Sequence, residues 1–145
     1  MKAKDYLRQI KKINSQIINK SAEVDFWRSV ATGCTIAAEG EKVQSSGSKD
    51  KVANAICNYI EMEKEINAAI KRLVKARQDI IGTIEQLPVA QYDVLHRIYV
   101  QDKTFYETAT DLHKSYSWVT TVHGKALVSV QKIINSENAT NCIKM

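Results

Sequence analysis

The chain has 145 residues, a formal charge of +5, and 26% charged against 44% hydrophobic residues, which describes a folded chain of one or two small domains, not a disordered one. Only 5 Gly and 1 Pro punctuate it, too few for a turn-rich β protein. The mild positive charge permits nucleic acid or an acidic partner without requiring either.

The N-terminal stretch from Lys4 to about Ala31 reads as one helix. Tyr6, Ile10, Ile13, Ile17, Val24 and Trp27 recur at three- and four-residue intervals, a heptad seam interrupted by Lys20. Lys2, Lys4, Arg8, Lys11, Lys12, Lys20 and Arg28 outnumber Asp5, Glu23 and Asp25, so this segment carries most of the net charge. The cations are spread around the helix, which favours a solvated outer face over a phosphate-binding stripe. The charged start holds no apolar signal core, and no apolar run approaches the ~20 residues that span a bilayer.

The period fades over Thr32–Lys49, where Gly33, Gly40, Gly47 and a serine run predict a connector. Gln44-Ser45-Ser46-Gly47-Ser48 lacks the lysine of a phosphate-binding loop, which excludes a nucleotide site of that type. Ser48 or Asp50 then caps a second long helix with the stripe Val52, Ile56, Tyr59, Ile66, Ile70, Leu73, Ile80, Ile84 and Leu87. At ~1.5 Å per residue it would run about 57 Å, too long to bury its seam alone. The first helix is expected to fold back antiparallel along it, with Ile10, Ile13, Ile17, Ile56, Tyr59, Ile66, Ile70 and Leu73 at the coiled-coil interface. Apolar surface left over predicts a homodimer or a polymerase contact. Glu63 and Arg77 fill seam positions, and Lys20 with Glu63 is one candidate register-setting pair. Pro88 ends the helix.

Residues Val89 to Val100 predict a third helix with Tyr92, Leu95, Ile98 and Tyr99 on its apolar side. After a turn at Gln101–Lys103, Thr104 and Glu107 have capping-box spacing for a short helix bearing Phe105, Thr108, Ala109 and Leu112. Ser115 or Ser117 caps a last helix with the stripe Val119, Val122, Ala126, Val130 and Ile133. A short helix, a tight turn and a longer helix is the helix-turn-helix pattern, and Ala109 is small enough for the crossing. Asn135–Met145 is polar and aperiodic and is expected to fray.

Leu87-Pro88, Leu95-His96-Arg97-Ile98-Tyr99-Val100, Phe105-Tyr106-Glu107-Thr108-Ala109, Ser117-Trp118-Val119 and Lys125-Ala126-Leu127 resemble region 4 of sigma-70-type factors, which typically reads LP, LRxRYV, SYEEIA and TVKSRxxRAL. The whole chain is similar to small phage and prophage proteins with a long coiled coil ahead of such a module, through Tyr6-Leu7-Arg8-Gln9-Ile10-Lys11-Lys12-Ile13, Gln44–Ser48 and Trp118–Leu127. The resemblance implies a late-gene transcription regulator, bound to duplex DNA and either dimerised or docked on RNA polymerase through its coiled coil, in the cytoplasm of a bacterial host.

The expected fold is therefore all-α: a helical hairpin over 1–87 with its loop at about 32–49, a helix-turn-helix module over 88–134, and a tail over 135–145. Candidate DNA contacts are Ser115, Ser117, Trp118, Thr120, Thr121 and Lys125, with Lys114 and Lys103 towards phosphate. Trp118 has two expected roles, a thymine or sugar contact or packing on Tyr116 or Phe105. The module is nearly neutral, Arg97, Lys103, Lys114, Lys125 and Lys132 facing Asp93, Asp102, Glu107 and Asp111, so a dimer or polymerase must add affinity.

No catalytic constellation is visible, and no cofactor is expected. Cys34, Cys57 and Cys142 have no metal-ligand spacing with one another or with His96, His113 and His123, and they predict reduced thiols. Two rival readings remain. One is an adaptor that binds polymerase or another regulator rather than DNA. The other is a DNA-packaging subunit like small terminases, whose usual order places the DNA module first.

Overall fold

The computed structural model describes the backbone of residues 1–40 and 46–143, and the side chains of 1–33 and 50–140. Among these the chain is all helical: α1 (Ala3–Gly40), α2 (Ser46–Glu85), α3 (Val89–Leu95) continued by a π-helical turn (His96–Val100), α4 (Phe105–Leu112) and α5 (Tyr116–Ile143). No described helix is long and apolar enough to cross a membrane.

Both long helices outrun their apolar periods. α1 continues to Gly40 and α2 begins at Ser46, so most of the connector expected over 32–49 is helical; Gln44 and Ser45 lie outside the described residues. A glycine inside an exposed helix costs only about 1 kcal/mol, and once a helix is nucleated each further residue adds a hydrogen bond. Gly33 is such a residue, with nothing within 4 Å of an added Cβ. For the same reason α5 runs through the polar stretch after Ile134, up to Ile143, instead of ending with its apolar stripe. Back-bonds from Ser136 to the Ile133 carbonyl (2.8 Å) and from Thr140 to that of Ser136 (2.9 Å) accompany the extension.

The contacts divide the chain into Met1–Asn14 with Lys75–Met145, and Ser15–Val74. The first turns of α1 and the last turns of α2 thus group with the C-terminal helices. Leu7, Ile10, Ile84, Val94 and Leu95 are fully buried. Two of these, Leu7 and Val94, lie outside the sequence-derived stripes. Leu7 belongs to a stripe Ala3–Leu7–Ile10–Asn14 that alternates four and three residues.

In this first unit the buried side chains are joined by specific polar contacts. The Tyr6 and Thr83 hydroxyls lie 3.1 Å apart. Further along α1, Arg77 Nε donates to Asn14 Oδ1 at 2.9 Å, so two polar seam residues satisfy each other. The start of α1 is capped by α5. The Ala3 amide donates to Gln131 Oε1 (2.8 Å), and Gln131 Nε2 donates to the Met1 carbonyl (3.2 Å). These bonds satisfy one of the orphan amides of a helix start.

The second unit, Ser15–Val74, is thinly packed. Among its described residues Val24 and Ile66 are the buried apolar ones, while Ile17, Ile56, Tyr59, Ile70 and Leu73 are half-buried. Glu63 pairs with Arg28 at 3.4 Å, not with Lys20. Arg28 lies about two turns further along α1 than Lys20, and Tyr59 also bonds its guanidinium. Ile18, Phe26, Ile60 and Val74 are exposed here.

Candidate nucleic-acid interface

Thr104, Glu107, His113 and Ser115 set the geometry of the α3–α5 module. The capping box at the start of α4 is closed in both directions: the Thr104 amide donates to Glu107 Oε2 (2.7 Å), and the Glu107 amide donates to Thr104 Oγ1 (3.2 Å). The backbone bond from Thr104, then its side chain, holds the Glu107 carboxyl below its ordinary pKa. α4 ends at His113, whose backbone is left-handed at φ 53°. A three-residue turn, His113–Ser115, then leads to α5, where Ser115 Oγ accepts the Trp118 amide at 3.1 Å. Ser115 is thus the N-cap.

His113 fills a position where glycine has no steric penalty. A left-handed L-residue costs roughly 1–2 kcal/mol, partly offset by the extra freedom glycine has when unfolded. His113→Gly is therefore expected to raise unfolding stability by up to about 1 kcal/mol. Urea denaturation checks this, and a lower midpoint contradicts it.

α5 packs on α3 and α4 through Val94, Ala109 and Val119, with Ile98, Phe105, Leu112, Trp118 and Val122 around them. Ala109 lies in this cluster and is 7% exposed, the small residue the crossing requires. Trp118 takes the packing role: it is half-buried against the cluster, with Lys114 Nζ 5.4 Å from its ring centre. Tyr116 stacks instead with Tyr106, at 4.7 Å.

The sequence-derived contacts then separate. Ser117, Thr121, Lys125 and Lys114 are exposed. Thr120 is half-buried, and both threonine hydroxyls donate to the Ser117 carbonyl at 2.9 Å. Lys103 does not face outward as expected; it is half-buried and bonded to Asp111, which Arg97 also approaches at 3.7 Å. The Lys103 bond is the main reason the Asp111 carboxyl sits below its usual pKa. Among the described residues Lys125 has no ion-pair partner, so its charge is available.

His123 turns inward. Its Nε2 lies 3.0 Å from the Tyr99 hydroxyl, its ring is edge-on to Phe105 at 5.0 Å, and it is half-buried. The sequence signal was its place one residue beyond Val122 and three before Ala126, at the edge of the apolar stripe. Burial, and then the Lys4 charge, holds its pKa below the ordinary value. His96 is lowered too, by burial and then by Arg97 and Arg77. Both histidines thus take up a proton less readily in the fold than in the unfolded chain, whose histidines charge below about pH 6.5. Stability is fully present above that value and falls as the pH drops below it, towards the lowered folded-state pKa. The urea midpoint should fall between about pH 7.5 and pH 5.5, and His123→Phe should flatten part of the fall. A wild-type midpoint that stays level or rises on acidification contradicts this.

Comparison with protein-family models, curated proteins and solved structures gave no match.

Proposed function

We propose that the chain is a DNA-binding transcription regulator of the phage type. In this reading α4, its turn and α5 form a helix-turn-helix similar to sigma region 4, and α5 enters the major groove. The long helices form an antiparallel hairpin that dimerises or docks on RNA polymerase, supplying the affinity that a nearly neutral module lacks.

The observation that carries the reading is the outer face at the start of α5. Ser117, Thr121, Lys125 and Val128 are all exposed, and Gly124 lies among them. A Cβ at Gly124 would meet nothing within 4 Å, so internal packing does not require glycine there. Mid-helix glycine costs about 1 kcal/mol, and close approach of an outside surface is what it permits. Thr121 offers a methyl to thymine and an oxygen lone pair, and Lys125 offers an ammonium to guanine or phosphate. Lys114 and the Ser115–Ser117 helix start suit phosphate. Lys103 is spoken for by Asp111 and contributes little.

Gly124→Ala separates folding from function. It should raise stability by about 1 kcal/mol and weaken DNA binding. Unchanged or tighter binding contradicts the close approach.

Selecting bound fragments from a genomic DNA pool with the full chain at moderate salt tests the function itself. Enrichment of a common sequence is expected. No enrichment, with polymerase retained from a reconstituted mixture, favours the adaptor reading. A ring-sized oligomer in light scattering favours the packaging reading.

A further inference from the structure

A second candidate site lies at the start of α1. Lys4, Arg8 and Lys11 line one wall of a cleft of about 330 Å³. Their spacing of four and three residues puts them on one side of the helix. Ile98 and Phe105 supply apolar wall above the buried Leu7, and the bonded Tyr99 and His123 line the cleft beside them. The backbone opposite α1 is specialised. Ile98 and Tyr99 come from the π-helical turn, and Asp102, which follows it, is left-handed at φ 56°. Single π turns inside helices are frequent at functional sites.

We propose that this cleft binds a small anion carried on one aromatic ring, a carboxylate or a phosphate monoester. The volume is at the small end of ligand pockets, which fits a single ring. The charges select an anion. Lys11 is paired with Asp102 at 3.0 Å and Arg8 is 3.9 Å from Asp5, while Lys4 has no ion-pair partner among the described residues. The cations therefore exceed the carboxylates in reach, and a guanidinium at the cleft can take both oxygens of a carboxylate or phosphate. The Tyr99–His123 pair completes the donor set. The Tyr99 hydroxyl lies 3.0 Å from His123 Nε2, and in the tautomer whose Nε2–H donates to it the phenol hydrogen is free for the ligand. Burial raises the Tyr99 pKa and so keeps that hydrogen in place. The ring of the ligand then lies against the half-buried Ile98 and Phe105, where removal from water contributes to affinity.

The site does not rest on the DNA reading, and its test uses no DNA. The full chain is titrated with phenyl phosphate and with benzoate, and side-chain resonances are followed by NMR. Saturable binding of at least one is expected, with the largest shifts at Tyr99, Phe105 and His123. Inorganic phosphate and benzyl alcohol, each carrying half of the ligand, should bind roughly ten-fold more weakly or worse. Lys4→Gln with Arg8→Gln should weaken phenyl phosphate or benzoate by roughly ten-fold, and both positions are exposed, so the fold should survive. Tyr99→Phe should weaken phenyl phosphate and benzoate. No saturation by about 10 mM of either ring-bearing anion overturns the proposal. So does binding that the double variant leaves intact.

Discussion

Leu95→Ala is expected to destabilise the protein by about 2–5 kcal/mol, the range for emptying a fully buried leucine site. Leu95 is 0% exposed, and it belongs to the helix on which α5 rests. Against a total of ~5–15 kcal/mol for a typical domain, that loss removes a large part of the stability. Val128→Ala on the outer face of α5, where Val128 is 58% exposed, should change stability by no more than about 0.5 kcal/mol. Urea denaturation of both variants makes the comparison. Similar midpoints for the two would mean that α3 does not carry the core.

The second large effect concerns binding. Thr121→Glu and Lys125→Glu are each expected to weaken DNA binding by on the order of 10- to 100-fold, while leaving the urea midpoint near that of the wild type. Both side chains are exposed, and neither belongs to the Val94–Ala109–Val119 cluster. In the proposed complex each substitution places a carboxylate where phosphates and base edges would approach, so repulsion would add to the lost contact. Lys103→Gln makes the opposite case. Its ammonium is bonded to Asp111, so the variant should lose stability and keep most of its DNA affinity. Equal loss of binding for Lys103→Gln and Lys125→Glu would contradict the assignment of the outer face.

Local signals in the sequence were the most legible. Thr104 and Glu107 identify their capping box because the bonds involve residues three apart, and Ser115 precedes α5 at cap spacing. The stripes of α2 and α5 are readable for the same reason: period and burial are both properties of one helix. The contacts that join distant segments were not legible. Nothing within α1 marks its first turn as closing on α5, or Gln131 as the cap of Ala3, a partner 128 positions away. The pairing of Glu63 with Arg28 instead of Lys20 has the same origin, since both cations are compatible with a seam and only the register selects one.

The candidate site divides in the same way. Ser117, Thr121 and Lys125 follow from helical period alone. The inward turn of His123 and the bond between Lys103 and Asp111 depend on α1 and on the π turn. Helical period does not encode either.

The central claim is that α5 presents an exposed face to duplex DNA, and that phosphate contacts provide much of the binding. Equilibrium binding of the full chain to its best selected duplex, measured from about 50 to 200 mM salt, tests it most directly. A linear fall of log K with log salt, with a slope reduced by about one in Lys125→Gln, is the expected result. Binding that is absent at low salt, or that stays level across the range, would contradict it.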